Sequence, residues 1–475
     1  MVHVLVVTFA GQGHINPFLR LAKRLASKGL LVTFATLESM AEKMRKASCT
    51  EADLPIDAPT AVGQGLLRFE FISDGWSEGL HGRQGPEASM AQLQKMGPQG
   101  LASLIDRQAE AGRPVSFAVT NPFMPWALDA AASAGIKCAV FWVQSCAAFS
   151  IYYHHFHSKS TAGFALPIGL PTLSADEMPT FLLPSNPYAV FGEAILGQFK
   201  NLSRASCVLV DSFEELERPV IEGMSRVYPI TPIGPLFVSN DDGSVENKIR
   251  GDLWKAEDCV EWLDSHPPSS VVYISFGSIV ALERDQMEEM AGGVGKSGRP
   301  FLWVVRPATD AVETGLPEGF LEDTEGRGKV VSWCPQDRVL SHPSIACFLT
   351  HCGWNSSLES LSCGVPIIAF PQWGDQVTNA KFMVEVFKVG VRLTASGDGG
   401  NSKLVRKEEV ERCISLMTTN RGAGAGAGAE EMRKNALKWK EAARAAVAHG
   451  GSSHRNIQAF VDDVNGGNNK ILASN

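Results

Sequence analysis

Short β-branched and aromatic runs alternate with amphipathic stretches twice over along this sequence, and few architectures accept such a pattern. Residues 3–9, 31–36, 67–72, 117–121, 138–143 and 207–211 read as strands of a first series. Between the first two, Ile15, Phe18, Leu19, Leu21, Ala22 and Leu25 fall at helical spacing, so one helix face is apolar and must lie on a sheet. Strands that are apolar throughout and separated by helices form a parallel sheet covered on both faces. A second series, at residues 270–276, 301–305, 329–333, 346–351, 366–370 and 389–393, predicts another sheet of the same kind. The polar run that begins at Val238 has little to bury and reads as an interdomain linker. The expectation is an α/β protein with a first domain at 1–238, a linker at 239–252 and a second domain from 253, which suits a length of 475 residues. The Gly-Ala tract at 422–429 is too flexible for a helix interior and is expected to be a surface loop without function.

Composition narrows the partners. With 43 basic and 51 acidic residues the net charge of −8 repels phosphate backbones and anionic lipid, which argues against nucleic acid. Ten cysteines, among them Cys49, Cys138, Cys207 and Cys347, sit in apolar runs without a repeated CxxC spacing, and read as buried thiols of a reducing compartment. The start at Met1-Val2-His3 carries no cationic leader, and no apolar run reaches the ~18 residues that a membrane span needs. A cytoplasmic location without membrane insertion is expected. His154 and His157 have ligand spacing, but no carboxylate or cysteine stands near them in sequence, so a structural or surface role is expected and no metal.

The first strand runs into Gly11-Gln12-Gly13-His14-Ile15-Asn16-Pro17, a glycine-bearing turn that opens a helix. As a dinucleotide fingerprint it would cradle a pyrophosphate, with Glu38 on a ribose, and would suggest a nicotinamide-dependent oxidoreductase. Asn16 in the third glycine position weakens that reading. His14, in the first helical turn, lies where the helix dipole disfavours imidazolium, so a neutral ring able to accept a proton is one expectation. A histidine that merely fills the turn is the other.

The second half says more. The strand that ends at His351 is followed by Cys352-Gly353-Trp354-Asn355-Ser356-Ser357-Leu358-Glu359, where a sharp turn exposes the amides of a new helix to a phosphate. Ser356 and His351 can donate to it, and Glu359, one turn beyond Asn355, can accept from ribose hydroxyls. Upstream, Trp333 offers an indole face for a base and Cys334 a backbone edge; downstream, Asp375 and Gln376 form the carboxylate and carboxamide pair that neighbouring sugar hydroxyls need. Singly, Trp333 could be core, Glu359 a solvated helix face and Asp375 a helix cap. In this order they spell base, phosphate, ribose and sugar, and two such domains are expected to bind ligands at the carboxyl ends of their strands.

Residues 333–376, beginning WCPQ, carrying HCGWNSSLES and ending WGDQ, resemble the signature box of plant family 1 UDP-dependent glycosyltransferases. Similarity extends over nearly the whole chain, through GQGHINP at 11–17, Ser275-Phe276-Gly277-Ser278 and the stretch 450–456. The resemblance implies the GT-B fold, two Rossmann-like domains, with the second ending at 452 and a closing helix and tail at 453–475 that cross back to the first. It further implies Trp333 on uracil, Cys334 and Gln336 near the uridine and Glu359 on the ribose. Ser278, His351, Gly353, Asn355 and Ser356 would surround the diphosphate, with Trp354, Asp375 and Gln376 on a hexose that Gln376 marks as glucose. His14 matches the family's catalytic base, and Phe9, Gly13, Phe123, Gln144 and Trp373 are the acceptor-pocket candidates.

One departure stands out. Most relatives pair the histidine with an aspartate, whereas this chain has Asn121 in Val119-Thr120-Asn121-Pro122-Phe123. The carboxamide can orient an imidazole through its oxygen but cannot neutralise an imidazolium. With Val143-Gln144-Ser145-Cys146 and the stretch 170–179, this looks like the branch whose members often make glucose esters of aromatic acids. The expectation is inverting transfer from UDP-glucose to a small aromatic acceptor, a carboxylic acid before a phenol or a C-glucosylated flavonoid, by a monomer without cofactor or metal. The nicotinamide oxidoreductase and a nucleotide-sugar binder without chemistry are the alternatives.

Overall fold

The computed structural model describes residues 1–47, 58–75, 85–158, 170–184, 186, 189–237, 248–306, 315–395, 404–418 and 427–466. Cys49, most of the expected linker, residues 422–426 of the Gly-Ala tract and the tail beyond 466 lie outside them. Two compact units emerge: residues 1–254 with 445–475, and residues 255–444.

The first unit is built on β1 (His3–Val7), β2 (Leu31–Leu37), β3 (Thr60–Val62), β4 (Gly65–Ile72), β5 (Phe117–Thr120), β6 (Lys137–Trp142), β7 (Cys207–Val210) and β8 (Ile230–Pro232). They lie in the order β3-β4-β2-β1-β5-β6-β7-β8, parallel except that β3 pairs antiparallel with β4 at the edge. The helix Gln12–Ser27 buries all six apolar residues expected to face a sheet. Each of them other than Ala22 contributes on the order of 1.5–3 kcal/mol when removed from water. The last helix, Ser452–Val464, adds Ile457, Phe460, Val461 and Val464 to the same core, with the Phe460 ring edge-on to Phe117 at 5.3 Å. Asn456 Nδ2 donates to the Pro232 carbonyl at 2.8 Å and Ser453 Oγ to that of Gly234. The chain thus returns to its first unit, and the change of unit falls at 444/445, inside the helix Ala427–Val447.

In the second unit β9 (Val271–Ser275), β10 (Phe301–Val304), β11 (Gly328–Val331), β12 (Ile345–Thr350), β13 (Ile367–Ala369) and β14 (Gly390–Arg392) take the order β11-β10-β9-β12-β13-β14, all parallel. Both sheets are doubly wound α/β sheets, as expected from the alternation. Among the parallel strands of each, strand order reverses at one place, between β1 and β5 and between β9 and β12. Ligands of open parallel sheets bind outside the carboxyl ends of the strands at such a reversal, because the flanking loops there diverge to opposite faces.

Several expected boundaries move. β11 stops at Val331, since the Ser332 N–H is taken by Glu257 Oε1 at 2.8 Å and the Trp333 carbonyl accepts the Glu257 N–H at 2.9 Å. β5 stops before Asn121, whose carbonyl accepts from Met124 N at 3.0 Å in a tight turn. The short strands β3 and β8 carry too few residues to show a period. Residues 427–429 of the Gly-Ala tract open the helix Ala427–Val447 instead of forming loop.

Candidate active site

At the first reversal, β1 leads through Thr8 to Gly11, which precedes the helix Gln12–Ser27 without a side-chain cap. Side chains fill this first turn: Gln12 Nε2 donates to Asn16 Oδ1 at 2.6 Å and to the Gly251 carbonyl at 3.1 Å, while Gln12 Oε1 accepts from Leu253 N at 2.8 Å. Asn16 therefore has a partner of its own where a dinucleotide fingerprint would keep a bare glycine. Glu38, the ribose candidate of that alternative, is exposed at the start of the helix Glu38–Ala47.

His14 projects from this turn with Nδ1 3.0 Å from Asn121 Nδ2. The two residues are 107 apart in sequence and meet because β1 and β5 are neighbours. The imidazole stands edge-on to Phe9 at 5.4 Å and to Phe123 at 4.8 Å. Loss of solvent among these rings holds its pKa down to about 4, so the ring is neutral at pH 7. Asn121 is buried, and its Oδ1 accepts from Phe123 N at 2.9 Å. The expected arrangement, with the amide oxygen on the imidazole, is thus reversed: a backbone N–H has claimed the oxygen.

Two further rings close on Phe123, Phe181 at 6.5 Å and Phe191 at 6.1 Å. Sequence reasoning missed both. They stand in a short 3-10 turn, Thr180–Leu182, and in the helix Ala189–Gly197, where no contiguous pattern connects them to His14. Gln144 is buried after β6, and Gly13 is exposed in the turn. Beside Gln144, the helix Cys146–His157 is capped twice: Ser145 Oγ accepts from Ala148 N at 3.1 Å, and buried Glu217 accepts from Cys146 N at 3.0 Å and Ala147 N at 2.9 Å. A buried carboxylate on a helix N-terminus fixes that element firmly.

At the second reversal, β12 ends at Thr350 and the chain turns through Cys352, at φ 61°, into Gly353 and the helix Trp354–Cys363. Gly353 supplies no side-chain cap, so the helix opens with amide groups. The His351 ring fills the space between two glycines: a Cβ on Gly277 would stand 2.7 Å from Nε2 and one on Gly353 2.5 Å. Burial, and then the charge of Arg306, hold the His351 pKa down to about 4. Arg306, which sequence reasoning passed over at the end of an apolar run, donates to the carbonyls of Ser278 and Val280 and so shapes the loop after β9.

Gln336 joins two other expected positions. Its Nε2 donates to Ser356 Oγ at 2.9 Å and to Glu359 Oε2 at 2.7 Å, and its Oε1 accepts from Tyr273 OH at 3.2 Å. Tyr273, buried in β9, is a further residue that the sequence did not reveal, because a strand tyrosine looks like any other core residue. Trp333 and Cys334 precede Gln336, the first partly exposed and the second buried. Trp354 is buried and Asn355 partly exposed on the helix that follows Gly353.

Asp375 and Gln376 open the helix Gln376–Lys381, and both are buried. Asp375 Oδ2 accepts from Asn379 Nδ2 at 2.7 Å, and the same Nδ2 reaches the Cys352 carbonyl at 3.0 Å. Burial outweighs that hydrogen bond and pushes the Asp375 pKa up to about 6. Trp373 packs partly buried against the core of this unit. Among the described residues no group of three or more His, Cys, Asp or Glu is arranged to hold a metal, and no helix is long and apolar enough to cross a membrane.

The family described as UDP-glucoronosyl and UDP-glucosyl transferase matches residues 225–396. The chain is 51% identical to a gallate 1-beta-glucosyltransferase of Punica granatum over 98% of its length and 89% of that protein. It is 48% identical to a cinnamate beta-D-glucosyltransferase of Fragaria ananassa, over 98% of this chain and 83% of the relative. Among solved structures, Os79 from O. sativa in complex with UDP superposes with a TM-score of 0.83 at 33% identity, covering 97% of this chain and all 100% of the other.

Proposed function

The chain belongs to the UDP-glucoronosyl and UDP-glucosyl transferase family, and from that premise we propose that it transfers glucose from UDP-glucose, with inversion, to the carboxylate of a small aromatic acid. The product is a β-glucose 1-ester. Relatives that share about half of its residues are named for gallate and cinnamate glucosylation, and a nicotinamide oxidoreductase has no place in that family. The observation that carries the reading is the pairing of a neutral His14 with an uncharged Asn121 inside a group of phenyl rings. An aromatic acceptor fits such walls, and an acid needs no base because it is ionised at pH 7.

In this reading a carboxylate oxygen attacks C1 of glucose from the face opposite the diphosphate. The new C1–O bond forms as the bond to the diphosphate breaks, and UDP leaves with the electron pair. No proton moves. His14 and Asn121 orient the acid, with Phe9, Gly13, Phe123 and Gln144 around it. Trp333 stacks on uracil beside the Cys334 backbone; Gln336 and Glu359 hold the uridine. The charge that develops on UDP meets the amides that follow Gly353, together with Ser278, His351, Asn355 and Ser356. Trp354, Asp375 and Gln376 take the sugar. Donor and acceptor are the whole chemistry, with no metal or cofactor, so a chelator leaves the rate unchanged. A monomer belongs to this reading, and so does a cytoplasmic location, which the nine described cysteines, all free and buried thiols, support.

The test is a mass-spectrometric screen of aromatic acids, phenols and flavonoids with UDP-glucose. Glucose adducts that hydroxylamine or mild alkali cleaves are expected. Donor binding without turnover on any acceptor, or alkali-stable or C-linked products from every good acceptor, overturns the ester assignment.

A further inference from the structure

The amide of Asn121 has one possible orientation. The Phe123 N–H can only donate, so the Asn121 atom 2.9 Å from it is the oxygen, and the nitrogen is then the atom 3.0 Å from His14 Nδ1. An amide NH₂ can only donate as well. Nδ1 therefore presents its lone pair, and in a neutral imidazole the single ring proton resides on Nε2. The turn that holds this arrangement is closed by Met124 N on the Asn121 carbonyl at 3.0 Å, with Pro122 inside it. Phe123 serves twice, through the N–H that claims the amide oxygen and through the ring 4.8 Å from His14.

We propose that Asn121 is a positioning residue that selects the Nε2–H tautomer of His14, making the ring a hydrogen-bond donor in place of a proton acceptor, and that this selects carboxylate acceptors over hydroxyl acceptors. An aspartate at 121 would accept from Nδ1–H and leave the Nε2 lone pair free to take a proton. With Asn121 the proton is already on Nε2. A carboxylate gains from it: one oxygen accepts Nε2–H while the other attacks C1, and the electron pair leaves with UDP without any proton transfer. A hydroxyl acceptor must give up its proton as the C1–O bond forms, and Nε2–H has no lone pair to receive it. Moving the ring proton to Nδ1 would set it against the Asn121 NH₂ and lose that hydrogen bond.

This inference rests on the ester-forming reading for its consequence, but the tautomer itself can be measured without any acceptor. Nitrogen-15 NMR of the full-length enzyme labelled in histidine, at pH 7 and with His14 assigned by its loss in His14→Gln, is expected to show Nδ1 in the bare, pyridine-like range and Nε2 in the N–H range. In Asn121→Asp the two are expected to exchange. The ratio of kcat/KM for a phenol to that for an aromatic acid is then expected to rise about 10-fold or more, with the phenol rate following a protonation of the ring that the parent's acid rate does not follow. A protonated Nδ1 in the parent overturns the proposal even if esters are made. An unchanged acceptor ratio in Asn121→Asp overturns it too. If the parent makes no ester, the ester-forming reading falls, while the spectrum still decides which ring nitrogen carries the proton.

Discussion

The side-chain oxygen of Gln376 accepts the backbone N–H of Gln372 at 2.9 Å and stands 3.3 Å from that of Trp373. The carboxamide is thereby committed: its oxygen closes the turn before the helix, and its NH₂ is the part that the proposed function gives to a sugar hydroxyl. Gln376→Glu keeps an oxygen for the turn and removes the NH₂. Turnover with UDP-glucose should fall about 10-fold or more while UDP affinity by calorimetry stays within about 2-fold, since a buried carboxylate next to Asp375 replaces a neutral donor and the hydroxyl that accepted from it must turn to donate. Equal loss of both would mean that Gln376 serves the turn alone.

Trp333→Ala removes a partly exposed indole just past β11. Stacking of a base on an aromatic ring is worth about 1–3 kcal/mol, so UDP should bind correspondingly more weakly. Calorimetry that finds unchanged affinity would remove the uracil from this position.

Gly353 has φ −58°, which any residue can adopt, so Gly353→Ala tests space alone. The new methyl would meet His351 Nε2 at 2.5 Å and displace the ring. Overpacking of this kind costs about 1–3 kcal/mol, and the loss should appear in UDP affinity. A variant that binds UDP as the parent does would separate His351 from the diphosphate.

Phe191→Ala opens one wall of the aromatic group around Phe123. Ring pairs contribute about 0.5–1.5 kcal/mol beyond their buried area, which corresponds to a rise of about 2- to 10-fold in acceptor KM. The KM for UDP-glucose should not move. A change confined to the donor would place Phe191 outside the acceptor pocket.

His351 also makes stability depend on pH. Its pKa is about 4 in the folded chain against 6.5 as the ordinary value, so the unfolded chain binds the proton first as pH falls. Stability is lost as pH drops from 6.5 towards 4, by at most about 3 kcal/mol. Relative to His351→Gln, the parent should therefore lose stability in urea titrations over that window. Asp375, with its pKa raised to about 6, works in the opposite sense below pH 6 but is present in both proteins. A parent that gains on the variant as pH falls would show the ring charged in the folded state.

Much of this protein is local in its sequence. Helix Gln12–Ser27 follows from apolar residues at helical spacing, and the strands from apolar runs, because short-range periodicity decides which face of an element can be buried. Most residues proposed for the donor are legible for the same reason: all but Ser278 lie between Trp333 and Gln376, a stretch in which strand ends and helix starts follow each other closely. Tertiary structure decided the rest. His14 and Asn121 meet only because β1 and β5 are adjacent at a strand reversal, and Phe181 and Phe191 reach Phe123 from segments with no repeating pattern. Arg306 and Tyr273 look like the end and the middle of ordinary strands until their hydrogen bonds to the loop after β9 and to Gln336 appear. The amides are the sharpest case. A sequence states that Asn121 and Gln376 each carry a donor and an acceptor, but which of the two faces the site depends on the backbone N–H groups of Phe123, Gln372 and Trp373, and those take the oxygen first.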